Sequence, residues 1–288
     1  MILSVASGKG GTGKTTVAVN LALSIPNAQL LDCDVEAPNA HLFLKPALRE
    51  KKPAQLLLPE IDLSKCDLCG KCQEICAYHA LAVLPKKVLV FQELCHSCGA
   101  CASLCPRNAI REVPKEIGQV ELGASNGLLF GHGRLYIGEM MSPFLIQQVR
   151  KLTVPDRTVV IDAPPGTSCP MIAAVRQSDF CILVTEPTPF GLNDLGLAVE
   201  VVKRLGIPLG VILNRADENN TEVETFCKAR KIPVLLSIPF ERRIAELYSK
   251  GIPLVTADPS YQTIFSDLRD KIFALLAGSA KAPRKGTG

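Results

Sequence analysis

The chain of 288 residues is 47% hydrophobic and 21% charged, and its formal net charge is +4. These values are typical of a globular protein and exclude a largely disordered chain, while the modest charge gives no indication of a nucleic-acid partner. No apolar run approaches the roughly 20 residues that a membrane-spanning helix needs, so membrane binding is not expected. Because no cleavable leader follows Met1, we expect a cytoplasmic protein, in which the twelve cysteines indicate metal ligands rather than disulfides.

The first predicted strand, residues 2–6, leads into a glycine-rich loop at residues 7–16 with the sequence SGKGGTGKTT. The loop fits the P-loop pattern G-x-x-x-x-G-K-[ST], in which backbone N–H groups and the start of the next helix surround phosphate oxygens. Lys14 is expected to reach the β- and γ-phosphates, and the Thr15 hydroxyl to bind Mg²⁺. The predicted nucleotide-binding residues of the loop are Gly8, Lys9, Gly10, Gly11, Thr12, Gly13, Lys14, Thr15 and Thr16. The alternative is a glycine-rich turn that binds nothing.

Two carboxylates, Asp32 and Asp34, follow the second predicted strand at residues 29–31. A helix predicted over residues 15–24 separates this strand from the first one and ends before Pro26. Behind a P-loop, the two carboxylates are candidates for the nucleotide site. In isolation they fit a solvated turn better.

Residues 60–112 contain eight of the twelve cysteines, arranged in two runs of C-x-x-C-x-x-C-x-x-x-C that begin 29 residues apart. This is the spacing of bacterial ferredoxins, in which the fourth cysteine of each run binds the other cluster. We therefore predict two [4Fe-4S] clusters, the first with the ligands Cys66, Cys69, Cys72 and Cys105, and the second with the ligands Cys95, Cys98, Cys101 and Cys76. The alternatives are two structural zinc sites or a disulfide knot.

Beyond the cysteine-rich region, residues 118–139 predict two strands and a turn, with His132 in a turn between two glycines. A helix is predicted over residues 142–152 and a buried strand over residues 158–161. That strand ends in the sequence DAPPG at residues 162–166.

Three strand–helix units and a last helix complete the second half of the chain. The predicted strands cover residues 180–185, 209–213 and 234–237. The helices that follow them cover residues 192–205, 221–231 and 240–249, and the last helix covers residues 260–276. Such alternation predicts a parallel sheet with helices on both faces, whose ligand lies at the carboxyl ends of the strands. Three of the four remaining cysteines, Cys33, Cys181 and Cys227, are expected to be buried as small hydrophobic residues.

Lys9 adds a second lysine to the P-loop, and with the D-x-D and DAPPG motifs the chain resembles the MinD/ParA/nitrogenase-iron-protein class of P-loop ATPases. The resemblance implies a homodimer that encloses two ATP molecules, in which Lys9 contacts the nucleotide of the facing subunit. It further implies that Asp34 orients the attacking water and that Asp32 supports Mg²⁺ or a lysine. Asp162 is expected to accept a hydrogen bond from a Mg²⁺-bound water.

The same resemblance assigns three further nucleotide contacts. The Gly166 N–H is expected to sense the γ-phosphate, Asn214 to read the adenine edge, and Pro239 to line the base. A turn asparagine and a loop proline are the alternatives for the last two. The residues expected to act in catalysis are therefore Lys9, Lys14, Asp34 and Asp162.

The predicted fold is α/β, a doubly wound and mostly parallel sheet of the P-loop type with an inserted bacterial-ferredoxin-like α+β domain. The boundaries place the ATPase domain at residues 1–59 and 113–278, the insertion at residues 60–112, and a polar tail at residues 279–288. This organisation predicts a Mg²⁺-dependent ATPase that couples ATP state to electron transfer toward a redox partner or an apo-metalloenzyme. The alternatives are an iron–sulfur or metallocofactor maturation factor and, with less support, a MinD-like positioning ATPase.

Overall fold

The computed structural model describes residues 1–216 and 221–279, which form alternating strands and helices. In chain order these are β1 Ile2–Ala6, α1 Lys14–Leu23, β2 Gln29–Asp32, α2 Ala40–Leu44, β3 Ala47–Ile61, α3 Lys71–Ile75, β4 Leu81–Leu84, β5 Lys87–Val90, α4 Ala100–Ser103, β6 Ile110–Ser125, β7 Leu128–Leu135, α5 Ser142–Arg150, β8 Val159–Asp162, α6 Cys169–Val175, β9 Phe180–Thr185, α7 Pro189–Arg204, β10 Leu209–Ala216, α8 Thr221–Ala229, β11 Val234–Pro239, α9 Arg242–Ser249, α10 Leu254–Ala257 and α11 Pro259–Ser279. None of these helices is both long and apolar enough to cross a membrane.

The main sheet of the described chain has nine strands in the order β11-β10-β9-β1-β8-β2-β7-β6-β3. The seven strands from β11 to β7 run parallel, and β6 and β3 are antiparallel additions at one edge. β1, which leads into the P-loop, lies between β8 and β9. The carboxyl ends of the parallel strands therefore converge on the P-loop, as the alternation of strands and helices predicts.

Hydrophobic cores lie on both faces of the sheet, because buried strands present apolar side chains alternately to each side. Leu31 of β2 belongs to the core under α5 to α8, whereas its neighbour Leu30 belongs to the core under α1 and α11. Cys33, Cys181 and Cys227 are at most 1% exposed, which confirms that they pack as small hydrophobic residues.

β3 and β6 extend beyond the sheet as a two-stranded ribbon. They pair from Ala47↔Ala124 to Ile61↔Ile110, but β6 pairs with β7 only from Gly118 onward. The remaining part, residues 55–61 and 110–116, is called the arm below. At about 3.4 Å per residue it is about 20 Å long. A bulge at Ile117, where Ala54 pairs with Gly118 and Gln55 with Glu116, marks the point at which the arm leaves the sheet.

The cysteine-rich region, residues 62–109, is carried at the end of the arm. The Asp62 N–H donates to the Ala109 carbonyl oxygen at 2.8 Å and closes the region at its base. Inside it, the two equivalent glycines, Gly70 and Gly99, are the N-caps of α3 and α4, and β4 and β5 form a hairpin. The boundaries given above for the inserted domain remain a prediction, and the polar tail lies outside the described residues apart from the end of α11.

The prediction that His132 lies in a turn is wrong. His132 is in β7, opposite Asp32 of β2, and is 1% exposed. Its neighbouring glycines allow close packing instead of a turn, because a Cβ on Gly133 would lie 2.8 Å from both Val149 and Val35 side-chain carbons.

Candidate functional site

The P-loop connects the central strand to α1, and two of its glycines, Gly8 and Gly13, could not be replaced by another residue without strain. Gly13, at the N-terminus of α1, has φ +91°, and a Cβ there would lie 2.2 Å from Asn214 Nδ2. A Cβ on Gly8 would lie 2.2 Å from the backbone oxygen of Asp194. Positive φ and close backbone approach are the two conditions that require glycine. The loop is thus fixed against α7 on one side and β10 on the other.

Two carboxylates meet where β8 and β2 end. Asp162 and Asp32 are paired in register across these strands, and both are 0% exposed. Burial, together with the charge of Asp162, raises the pKa of Asp32, while three backbone N–H groups satisfy it: Asp34 N–H on Oδ1, and Asn39 and Ala40 N–H on Oδ2, at 3.0–3.1 Å. Asp32 therefore holds the loop that carries Asp34 and starts α2.

The Asp162 carboxylate has no hydrogen-bond partner on either oxygen among the described residues. Burial raises its pKa to about 7, and the nearby Thr15 hydroxyl and Lys14 ammonium lower it in part. A buried carboxylate left without partners is costly, so these atoms fit a bound Mg²⁺ with its waters. Thr15, the predicted Mg²⁺ ligand, is at the right place to share that ion.

Lys14 of the P-loop lies close enough to Asp34 for their charges to interact. Lys14 is 6% exposed, and its charge opposes the rise in the pKa of Asp34 that burial causes. The structure thus brings together Lys14, Thr15, Asp34 and Asp162, four of the predicted site residues from three separate strand ends.

Two of the three predicted switch and base residues, Gly166 and Asn214, contact the P-loop. The Gly166 N–H donates to the Ser7 carbonyl oxygen at 3.0 Å, and Asn214 Nδ2 donates to the Thr12 carbonyl oxygen at 2.8 Å. Pro239 ends β11, beside the end of β10 that carries Asn214. The predicted roles of these residues toward γ-phosphate and adenine remain predictions. A γ-phosphate contact by Gly166 requires that its bond to Ser7 break.

Lys9, the lysine expected to reach the facing subunit, is held within its own chain. Its Nζ lies 3.1 Å from Glu186 Oε2, and Arg215 Nη1 lies 2.6 Å from Glu186 Oε1. Sequence reasoning missed Glu186, although its position directly after β9, at the ligand-binding edge of the sheet, is the signal that could have identified it.

The eight cysteines of residues 60–112 line two open cavities. The first, of about 360 Å³, is lined by Cys66, Cys69, Cys72 and Cys105. The second, of about 370 Å³, is lined by Cys76, Cys95, Cys98 and Cys101. These are the two sets of four in the sequence prediction, including the exchange of the fourth cysteine between the runs.

The backbone around the cavities repeats at the interval of 29 residues. Positive φ angles recur at equivalent positions, which are Leu68 and Ser97 (57° and 51°), Gly70 and Gly99 (81° and 72°), and His79 and Asn108 (53° and 47°). The fourth cysteine of each run accepts a backbone N–H four residues later, Ala80 to Cys76 Sγ at 3.2 Å and Ala109 to Cys105 Sγ at 3.3 Å. The region therefore has internal twofold repetition in structure as well as in sequence.

The thiols surround a space and do not converge on a point. Within the described chain, no three Cys, His, Asp or Glu side chains are grouped to hold one metal ion. Burial raises the pKa of the Cys101 thiol to about 11, so a positively charged centre is needed to keep it as thiolate. Four thiols around a cavity, with N–H groups directed at sulfur, fit an iron–sulfur cubane.

A second buried ionisable pair, which the sequence did not reveal, lies next to the nucleotide site. His132 Nε2 is 2.6 Å from Glu121 Oε2, and Lys51 Nζ is 3.2 Å from Glu121 Oε1. Burial lowers the pKa of His132, although Glu121 opposes this. His41 of α2 packs edge-on against the His132 ring, with centroids 5.2 Å apart. His132 and Glu121 meet because β6 pairs with β7. Local sequence patterns do not predict that pairing.

A P-loop after the central strand of a doubly wound sheet, with a buried acidic residue at the end of the next strand, defines a P-loop nucleotide-binding protein. The model of the CobQ/CobB/MinD/ParA nucleotide-binding domain family matches residues 3–254. The chain belongs to this family. The resemblance to MinD and ParA proteins, and the mostly parallel α/β fold, are thereby confirmed.

Several proteins resemble the chain over most of its length. An uncharacterized protein of Methanocaldococcus jannaschii is 32% identical over 87% of this chain and 90% of its own length. A cytosolic Fe-S cluster assembly factor, the Nubp2 homolog of Anopheles gambiae, is 25% identical over 91% of each chain. An iron-sulfur cluster carrier protein of Helicobacter pylori is 23% identical over 96% of this chain and 67% of its own.

The fold also matches that of a solved structure. The septum site-determining protein MinD of Pyrococcus horikoshii, complexed with Mg-ADP, has a TM-score of 0.60 with 21% identity, over 98% of this chain and 99% of that one. At this identity the likeness concerns the fold alone.

Proposed function

We propose that the protein is an ATP-hydrolysing, nucleotide-switched homodimer that couples its ATP state to electron transfer through two [4Fe-4S] clusters at the end of the arm. The observation that carries this proposal is the sorting of eight cysteines into two cavities, each with the four thiols that a ferredoxin-type cluster takes. Bound clusters supply one-electron redox chemistry. The four cysteines of each cavity would hold them.

In the ATPase half, each residue has a task that its position supports. Lys14, buried at the start of α1, would neutralise the β- and γ-phosphates, and Asp34 beside it would orient the attacking water. Mg²⁺ supplies charge neutralisation at the phosphates, and Thr15 and Asp162 are the residues that would hold it and its waters. Lys9 would leave Glu186 and contact the nucleotide of the partner subunit.

Coupling is supported by the place at which the arm joins the sheet. β6 and β3 are held against β7, which pairs with β2, and β2 ends in Asp32. Asp32 fixes the loop that carries Asp34, and His41 of the following helix packs on His132 of β7. A rearrangement of this loop around γ-phosphate therefore bears directly on the strand next to the arm.

The cluster part of the proposal is tested by iron and sulfide analysis and EPR of the anaerobically purified chain. About eight irons per chain are expected on the four-cysteine rule. Cys98→Ser should lose cluster signal, whereas Cys169→Ser is the matched control, because both residues are exposed but Cys169 lies outside the cavities. Zinc in place of iron, or equal cluster loss in both variants, would refute the cluster assignment.

The coupling part is tested by amide hydrogen exchange of the loaded protein with ADP and with a non-hydrolysable ATP analogue. We expect the analogue to change exchange in the P-loop, in residues 34–44 and in the arm. Exchange that changes in the P-loop while the arm stays the same would refute coupling and leave the ATPase assignment intact.

The relatives favour a second candidate function. An iron-sulfur cluster carrier protein and a cytosolic Fe-S cluster assembly factor are among the proteins that resemble this chain. A carrier would transfer its clusters to the apo form of a [4Fe-4S] enzyme. The activity that this enzyme gains would be proportional to the number of clusters transferred. An electron-transfer protein would keep its iron during the same incubation and cycle between oxidised and reduced states.

A further inference from the structure

The two cysteine cavities have different rims, although their backbones repeat. Because the two cysteine runs begin 29 residues apart, equivalent residues of the two cavities differ by 29 in residue number. Four such pairs contain a charged or aromatic residue: Lys71 and Ala100, Val83 and Glu112, Asp67 and His96, Arg107 and Tyr78. All eight residues line their cavities.

Two of these pairs replace an ion pair by stacked rings. At the first cavity Arg107 Nε donates to Asp67 Oδ2 at 2.8 Å, so that their charges cancel. At the second, the rings of Tyr78 and His96 stack with centroids 3.5 Å apart and an angle of 8°. The ion pair therefore adds no net charge to the first rim.

The other two pairs give the rims opposite charge. Lys71 is exposed at the first cavity and has no ion-pair partner in the described part of the chain, and its counterpart is an alanine. Glu112 at the second cavity likewise has no ion-pair partner among the described residues, and its counterpart is a valine; the neighbouring Arg111 is paired with Glu60. The Glu112 carboxylate oxygens lie 3.4 Å from the place that a Cβ of Gly99 would occupy.

We propose, on the basis of the function proposed above, that the cluster at the first cavity has the higher reduction potential and takes the first electron. Reduction of a [4Fe-4S]²⁺ cluster to [4Fe-4S]⁺ would take one electron from a one-electron donor and would involve no proton and no change in covalent bonds. A nearby cation stabilises the added negative charge, and a nearby carboxylate destabilises it. Lys71 and Glu112 thus both increase the difference between the two reduction potentials. Lys71 raises the potential of the first cluster, and Glu112 lowers that of the second.

The two cavities lie at different distances from the sheet. The first cavity is bordered by Ile61 and Ile110, the last pair of the arm, whereas Leu57, Pro59 and Glu112 border the second. The second cavity is therefore nearer the sheet by two to four residues of strand, or about 7–14 Å. In the half-reduced protein the electron rests at the outer end, away from the nucleotide site.

The test is an EPR-monitored redox titration of the loaded full-length chain, after iron and sulfide have been counted in each sample. Wild type should show two unequal midpoints. Glu112→Gln should raise the lower one and Lys71→Gln should lower the higher one. Each should reduce the preference of the first electron for the first cluster at least threefold, where tenfold corresponds to 59 mV for a one-electron couple.

The matched control is Glu116→Gln, an exposed residue of the same strand that lines neither cavity. The double variant Lys71→Gln/Glu112→Gln should bring the two midpoints closer together than either single variant does. The inference is overturned if both clusters assemble but their midpoints coincide in wild type, or if the two variants behave like Glu116→Gln. A chain without iron would overturn the proposed function itself, and the iron count separates the two failures.

Discussion

The buried carboxylate of Asp162 gives a prediction whose size follows from the structure. Burial raises its pKa from 3.8 to about 7, with both oxygens unpartnered in the described chain. The difference of about three pKa units is equivalent to about 4 kcal/mol, at 1.36 kcal/mol each. In the absence of Mg²⁺, Asp162→Asn should therefore increase the free energy of unfolding at pH 8 by about 2–4 kcal/mol.

The pH dependence has a definite sign. Because the folded pKa lies above the unfolded one, the native protein binds a proton that the unfolded chain releases. The contribution of Asp162 to stability is thus most favourable below pH 4 and is lost as the pH rises to about 7. The stability difference between Asp162→Asn and wild type should grow over this range and stay constant above it.

The assay is denaturant unfolding in EDTA at pH 5, 6, 7 and 8, with Asp156→Asn as the control at an exposed position. Added Mg²⁺ and ATP should reverse the order, because wild type then uses the carboxylate and the variant cannot. A variant that is no more stable than wild type in EDTA at pH 8 would show that the ionised carboxylate costs little. The interpretation that the ionised Asp162 carboxylate is destabilising unless Mg²⁺ is bound would then be wrong.

Three further predictions concern the P-loop, its lysine and the buried histidine. Gly13→Ala should reduce stability by about 1–3 kcal/mol, because alanine is strained at φ +91°, whereas Gly10→Ala, with its nearest neighbour atom at 4.0 Å, should leave unfolding unchanged. Glu186→Gln should free Lys9 and raise ATP-dependent dimerisation about twofold to fivefold in sedimentation experiments; an unchanged dimer fraction would contradict this. Since burial lowers the pKa of His132, its contribution to stability should fall as the pH drops below about 6.5, and His132→Gln should remove that part of the slope in unfolding experiments.

The parallel half of the fold was predictable because its signals are local. β9 has the predicted bounds, and β1, β2 and β8 differ by a residue or less at each end. α7 begins at Pro189, three residues before the predicted position, although the sequence contains the signal. Thr188 is the N-cap and accepts the Gly191 N–H at 3.0 Å, and proline at the first helical position is typical.

The antiparallel edge was not predictable from local patterns. β3 contains Pro53 and Pro59 and the charged residues Lys51 and Lys52, a composition that argues against a central strand. As the edge strand of the sheet it tolerates both prolines, and its lysines protect the edge from pairing with another chain. Whether a strand lies at the edge depends on the order of strands in the sheet, which a short segment of sequence does not determine.

The two parts of the candidate site differ in the same way. The cysteine sets were predictable because the duplicated spacing determines which thiols share a cavity. Lys9 and Glu186 are 177 positions apart, and His132 and Glu121 are 11 positions apart. Each pair meets only through strand pairing. Ion pairs of this kind produce no periodic pattern in the sequence, so they are seen only in the structure.

The distance between the two sites limits how one can influence the other. β6 carries Glu121 beside the nucleotide end of the sheet and Glu112 at the second cavity, nine residues or about 30 Å apart. Exposed charges are largely screened beyond about 8–10 Å at physiological ionic strength, so a γ-phosphate would have little direct effect on the potentials of clusters bound in the cavities. Two hydrogen-bonded strands can transmit a displacement over that length. If the protein has the function proposed above, coupling would therefore act by moving the clusters relative to their partner, while the residues around each cavity would set the cluster potentials.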